Sequence, residues 1–336
     1  MSPSLSGAAT IPALAGGTQL SLTVADIFHA QRVIYPSVVH TPLMPTFALS
    51  VACHAHVYVK AENLQRTRSF KIRGATNKLA QLSPEQRAHG VVTASRGNHA
   101  QGVALAAQVS GSSAVVVMPT DAEPLKIAAT QRLGAQVILH GATMSDASVK
   151  AREIAQQSGR TFVSAFDDPA VIAGQGTIGL EILSVLPDVD AILVPVGGGG
   201  LISGIALAVK TLKPETLIIG VQAKQMPSMR VSLEAGHPMA LPPAATRGDG
   251  INVNSPSERT LALVQRYVDD VVEVDEAEMA QAMVNLYDTC NLVVEGAGAV
   301  GIAALLNRRV NLTGKQVVAV LSGGNVELST LVSLRQ

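Results

Sequence analysis

The chain has 336 residues, with 25 basic and 25 acidic side chains that leave a formal net charge of zero. Hydrophobic residues make up 47% and charged residues 15%, which excludes a disordered chain and supplies a large core. A balanced charge gives no electrostatic case for nucleic acid or for an anionic membrane as partner.

Val24, Ile27, Phe28, Val33 and Ile34 have helical spacing and predict a helix from Leu22 to Tyr35, stopped at Pro36. His40-Thr41-Pro42-Leu43 reads as a turn or an extended entry, and Val57 to Lys60 as a short strand. An apolar, helix-like run (Ala75, Leu79, Ala80, Leu82) opens just after Lys71, and Ser83-Pro84-Glu85 starts another helix. A strand–helix rhythm follows. Strands are expected at 91–93, 114–118, 136–139 and 162–164, with helices at 100–109, 125–133 and 146–157 between them. A second series has helices at 177–186, 201–212, 276–291 and 297–306, and strands at 191–196, 217–222, 271–274 and 317–321. Residues 237–254, rich in Pro, Gly and Thr, read as a loop. Buried strands alternating with helices predict an α/β fold of parallel βαβ units in two lobes.

Mean hydropathy is +0.30. The longest apolar stretch, Leu292 to Leu306, carries Glu295 and is too short to span a bilayer. Cys53 and Cys290 read as free thiols of a reducing compartment. No Lys or Arg precedes Arg32, so a secretory signal lacks its basic start, and residues 1–20 are expected to be a flexible arm on a cytoplasmic protein.

Three stretches carry chemistry. Lys71 begins a helix that packs into a core, where desolvation disfavours the ammonium and frees the amine as a nucleophile. A strand, then Gly197-Gly198-Gly199-Gly200, then a helix opening at Leu201 forms a cradle for an anion. Its glycine spacing is not the dinucleotide fingerprint, and Ile205 stands where a P-loop needs Lys. Ser95-Arg96-Gly97-Asn98-His99 lies between a strand and a helix and is a second N-terminal anion site. By contrast, Gly174-Gln175-Gly176-Thr177-Ile178-Gly179 matches the dinucleotide spacing, but no strand leads straight into it.

Ser69-Phe70-Lys71-Ile72-Arg73-Gly74-Ala75 resembles the lysine motif of the threonine dehydratase and serine racemase group, fold type II enzymes that use pyridoxal 5'-phosphate. Residues 95–102, 173–177, 196–204 and 322–325 resemble the same group in the same order. The similarity runs from about Leu22 to Leu328 and looks closest to the short catabolic threonine dehydratases. It implies a two-lobed, tryptophan synthase β-like fold with the cofactor between the lobes. Residues 81–165 would be a small domain inserted in a large one made of 21–80 and 166–336. The resemblance implies that Lys71 carries the cofactor and takes the α-proton. Phe70, Leu201 and Gly197 to Gly200 would hold the cofactor, the glycines at its phosphate. Asn98 would bond the ring oxygen and Ser322 the pyridine nitrogen. Ser322, a neutral hydroxyl, need not keep that nitrogen protonated, which suits elimination. Ser69, Ser95, Gly97 and His99 would face the substrate. The implied reaction converts a β-hydroxy amino acid, L-threonine and also L-serine, to a 2-oxo acid and ammonia. A homodimer or homotetramer is expected.

The chain departs from that pattern at two positions. Arg68 stands where Gly is usual, and Arg96 where Ala or Ser is usual. Arginine is always protonated and cannot serve as the second, opposite-face acid/base of a racemase. The racemase-like metal carboxylates would fall at Gln222 and Ser228, so no metal is expected. Arg68 and Arg96 could grip a second carboxylate, as on hydroxyaspartate or an intermediate of hydroxyectoine breakdown. They could equally reach solvent or pair with acids. A non-catalytic binding protein and a β-replacement enzyme are the remaining readings. No regulatory domain is expected after Asn325.

Overall fold

The valine- and isoleucine-rich segments form two sheets, and both are covered by helices. A computed structural model describes residues 22–335, and the arm expected at residues 1–20 lies outside the described residues. The first elements are α1 (Val24–Ile34), β1 (Leu43–Pro45), α2 (Phe47–Cys53), β2 (His56–Lys60) and α3 (Lys71–Ala80). Next come α4 (Pro84–His89), β3 (Val91–Ala94), α5 (Asn98–Ser110), β4 (Ala114–Met118), α6 (Pro124–Arg132), β5 (Gln136–Leu139), α7 (Met144–Ser158) and β6 (Thr161–Phe162). Then follow α8 (Pro169–Val185), β7 (Ala191–Pro195), α9 (Gly200–Leu212), β8 (Leu217–Ala223), α10 (Ser228–Ala235), α11 (Glu258–Tyr267) and β9 (Asp270–Val274). The last are α12 (Glu276–Cys290), α13 (Gly296–Leu306), β10 (Gln316–Val320) and α14 (Leu328–Ser333).

The larger sheet has six strands in the order β1-β2-β10-β7-β8-β9, and the smaller has four in the order β5-β4-β3-β6. Every pairing is parallel except β1 with β2. Alternation along a strand sends neighbouring residues to opposite faces. In β7, Ala191 and Leu193 join a core with Val57, Val59 and the helices α12 and α13. Ile192 and Val194 join a different core with α9 and α11. The smaller sheet divides the same way, with Val91 and Val116 on one side and Val92 and Val117 on the other. Both faces are apolar, so these strands read as continuous hydrophobic runs.

Differences from the sequence expectations have physical causes. α8 begins at Pro169, not Thr177, because Asp168 accepts hydrogen bonds from the amides of Ala170 and Val171 and caps the helix. The decoy glycines therefore lie inside a helix. α11 was not expected, although Ser257 and Thr260 form a capping box ahead of Leu261, Leu263 and Val264. α2, α10 and α14 are short, and α2 exposes Phe47 and Val51, so their periodicity is weak. Among the described residues no helix is long and apolar enough to cross a membrane.

Candidate active site

Three neighbouring parallel strands end at one edge of the large sheet. β2 leads to the loop that carries Ser69, Phe70 and Lys71. β10 leads to Ser322, and β7 leads to the glycine run. In such sheets the carboxyl ends of the strands are where ligands bind. The first two loops are joined directly. The Phe70 amide donates to the Ser322 carbonyl at 3.1 Å, the Gly324 amide donates to the Arg68 carbonyl at 2.9 Å, and Ser69 bridges Gly323. Ser322 is buried, at 4% exposure.

The glycine run turns tightly into α9. Gly199 has φ +93, a left-handed conformation that side-chain-bearing residues rarely adopt. A Cβ on Gly198 would meet the Phe166 ring at 2.5 Å. Among the described residues, the amides of Gly197, Gly198 and Gly199 donate to no backbone carbonyl outside regular elements. With the first turn of α9, they form a group of free donors at a positive helix end.

Lys71 is the first residue of α3, and its Nζ donates to the Ala165 carbonyl at 2.9 Å and lies 5.0 Å from the centre of the Phe70 ring. Burial pulls the ammonium down to about 8, against a smaller opposing pull from Glu295. Helix α5 crosses close by. A Cβ on Gly102 would stand 3.0 Å from the Lys71 carbonyl carbon. Residues 164–167 link the parts, since Ala165 meets Lys71 and Phe166 covers Gly198.

The 95–102 stretch delivers Asn98 to the same place. Its Nδ2 donates to Glu295 Oε1 at 2.6 Å, and its Oδ1 accepts from Asn325 Nδ2 at 2.7 Å. Burial pushes the Glu295 carboxyl up to about 7, partly countered by the Asn98 amide. The imidazole of His99 has a different environment. Its Nε2 lies 3.1 Å from the Val163 carbonyl, its Nδ1 has no partner, and burial with the nearby Lys71 charge brings it down to about 3. It is therefore neutral at any working pH. The buried Ser69 Oγ also lacks a partner, and Ser95 Oγ accepts from the Gly97 amide at 3.2 Å.

The two unusual arginines do not converge. Arg68 is exposed with φ 53, in the left-handed region that explains why Gly is the easy choice there. Arg96 reaches Asp121 Oδ1 at 2.9 Å. Gln222 and Ser228 bond the Val196 and Val253 carbonyls, and among the described residues no cluster of three acids, histidines or cysteines could hold a metal.

Sequence reasoning did not single out Ala165, Phe166, Asn325, Lys126 or Asp249 as individual site residues. Asn325 was inside a noted motif. Lys126 Nζ pairs with Asp249 at 3.1 Å, and its stem lies over Gly97. No sequence pattern marks that pair, because the two residues lie 123 positions apart in the chain.

The partly buried Glu295 makes stability depend on pH. Its folded value, about 7, lies above the ordinary 4.5, so its charge opposes folding as pH rises between those values. The penalty is absent below 4.5 and reaches about 3 kcal/mol above 7. Glu295→Gln should remove that slope. Denaturation of the cofactor-free protein at pH 4.5 and 7.5 checks it, and an unchanged slope would contradict the burial argument.

A family profile described as pyridoxal-phosphate dependent enzyme matches residues 34–323. The chain is 50% identical over 310 residues to the L-threonine ammonia-lyase of Thermotoga maritima, covering 92% of this chain and 77% of that one. It is 42% identical to the catabolic L-threonine dehydratase TdcB of Escherichia coli strain K12, covering 92% and 95%. Its fold superposes on threonine deaminase isoform 2 of Solanum lycopersicum with a TM-score of 0.90 and 37% identity, over 98% of this chain and 91% of that one. A sheet edge that gathers Lys71, Ser322 and a glycine cradle, with Asn98 bonded in from the smaller sheet, together with these matches, means that the chain belongs to the pyridoxal-phosphate dependent enzymes.

Proposed function

We propose that the protein is a lyase that removes water and then ammonia from L-threonine, and from L-serine, to give a 2-oxo acid. One observation carries the reading: a partly buried amine, Lys71, with its ammonium lowered to about 8, at a strand edge shared with free glycine amides. The relatives named for L-threonine chemistry support the substrate.

The residues present fit pyridoxal phosphate. The Gly197–Gly199 amides and the α9 terminus suit its phosphate dianion. Asn98 and Ser322 would hold its ring, with Phe70 and Leu201 beside it. The unpartnered Ser69 Oγ, and the Ser95–His99 loop, are free to meet a substrate carboxylate. When bound, the cofactor supplies the carbonyl that joins the substrate amine and the electron sink that makes the α-proton acidic.

Every other step belongs to this chain. Near pH 8 about half of the Lys71 amine is neutral, so it can take the α-proton. The Ala165 carbonyl holds the amine in place. His99, neutral, keeps positive charge away from Lys71 and does not act as a base. The β-hydroxyl leaves as water, and one water later enters as ammonia departs. L-threonine therefore yields 2-oxobutanoate and ammonium with no net water.

Arg96 is engaged by Asp121 and Arg68 is exposed, which favours threonine over an acidic substrate. A second carboxylate would also enter near Glu295 and Asp249. We further read 21–80 with 166–336 as the large domain, 81–165 as the inserted one, and the protein as a cytoplasmic homodimer or homotetramer. The test compares kcat/KM for L-threonine, L-serine and threo-3-hydroxyaspartate. L-threonine should exceed the hydroxyaspartate by about 10-fold or more. The reverse order would assign the arginines to substrate recognition.

A further inference from the structure

We propose that Arg73, held between Glu62 and Glu181, is a positioning residue that fixes the loop bearing Lys71. The proposal rests on the reading of Lys71 as the cofactor's lysine. Arg73 is fully buried. Its Nε and Nη2 donate to the two oxygens of Glu62 at 2.8 and 2.8 Å. Its Nη1 and Nη2 donate to the two oxygens of Glu181 at 2.6 and 2.8 Å, and Nη1 also reaches Thr177 Oγ1 at 3.1 Å. Lys60 Nζ completes the group, 2.5 Å from Glu181 Oε2. Two cations face two anions, so the buried charge is balanced.

Three features tie this cluster to Lys71. Glu62 sits just after β2 and Arg73 two residues past Lys71, so their ion pair closes the base of the loop that presents Ser69, Phe70 and Lys71. That loop contains Arg68 at φ 53, a conformation that must be held by its surroundings. The start of α3 has no side-chain cap. A helix end without a cap frays, and Lys71 is its first residue. The Arg73 fork is the anchor that the missing cap would have supplied.

The chemistry of the cluster fits geometry better than bulk stability. Buried ion pairs contribute little net stability against apolar packing of equal volume. A guanidinium fork meeting carboxylates through paired bonds accepts only a narrow range of positions. Burial alone would raise the Glu62 carboxyl, but Arg73, by charge and hydrogen bond, brings it below its ordinary value. The network therefore stays ionised and directional at neutral pH. Among the described residues Arg73 bonds Glu62, Glu181, Thr177 and the Val39 carbonyl, so it acts through Lys71's placement.

The test uses the full chain, stripped of cofactor, as wild type, Arg73→Lys, Glu62→Gln and Thr177→Val. Pyridoxal phosphate is added across a pH series and its bond to the protein is fixed by borohydride. The labelled lysine is identified by peptide mass. The midpoint of this pH profile reports the Lys71 amine. The charged and titratable groups that face it, Glu295 and His99, are the same in every variant.

In Arg73→Lys the fork is lost, water reaches the loop, and the midpoint should rise by about one pH unit. The cofactor should bind about tenfold more weakly. Glu62→Gln and Thr177→Val should move both in the same direction by less, and they carry the test if Arg73→Lys does not fold. Lower thermal midpoints with an unmoved pH profile and unchanged dissociation would overturn the positioning role and leave a structural one. Label on another lysine in the wild type would instead overturn the reading of the site, and this proposal with it.

Discussion

Lys71→Met is expected to abolish turnover and yet to stabilise the cofactor-free protein. The loss follows from removing both the nucleophile and the base, a fall of about 10^3-fold or more. The gain follows from the same burial. In the folded chain the ammonium titrates at about 8 instead of 10.5, so below 8 the folded protein must hold a charge that burial disfavours. That difference corresponds to about 3 kcal/mol. The lost bond to the Ala165 carbonyl offsets about 1 kcal/mol, leaving a net gain of about 2. The gain should be complete below pH 8 and should fade as pH rises toward 10.5. Urea unfolding of both proteins at pH 7 and pH 10 measures it. Equal stability at both values would mean that the amine is solvated.

Gly204→Ala is expected to cost about 3 kcal/mol or more in stability, at the upper end of overpacking effects. A Cβ there would stand 2.3 Å from the Ile172 carbonyl oxygen and 2.6 Å from the Gly176 nitrogen. Both are backbone atoms of α8, so no flexible side chain can give way. Gly174 makes the matching contact on α3, where a Cβ would stand 2.6 Å from Gly74 Cα. Helix α8 is thus wedged between α3, which begins with Lys71, and α9, which begins at the glycine cradle. Moving it displaces both. Gly301→Ala is the control. Its nearest neighbour would be 3.4 Å away, an ordinary contact, and alanine favours a helix by about 1 kcal/mol. That variant should be neutral or slightly stabilised. Urea midpoints of the two variants decide the matter, and equal midpoints would refute close helix contact.

The sheets were legible because both faces of each strand are apolar. β4 (Ala114–Met118) and β5 (Gln136–Leu139) fall where the residues predict them, and β7 and β10 differ by one residue at their ends. The site was legible as pieces: Lys71, the Ser95–His99 loop, four glycines and Ser322 are each a local pattern. What joins them was not. Lys71 meeting Ala165, Asn98 meeting Glu295 and Lys126 meeting Asp249 are contacts between distant segments, with no periodic signal in either partner. The dinucleotide-like glycines were set aside in the sequence because no strand leads into them, and they lie inside α8. Helix-packing glycines and phosphate-turn glycines can share a spacing, and here the missing strand and the Asp168 cap both mark the former. The arginines also became readable only in three dimensions, Arg68 through its φ and Arg96 through Asp121.

The central claim is that Lys71 carries the cofactor. It is tested most directly by reducing the pyridoxal-phosphate-loaded wild-type protein with borohydride and locating the modified lysine by peptide mass. The label is expected on Lys71 alone, in step with loss of activity. Label on Lys60, Lys78 or Lys126, with Lys71 unmodified, would contradict it.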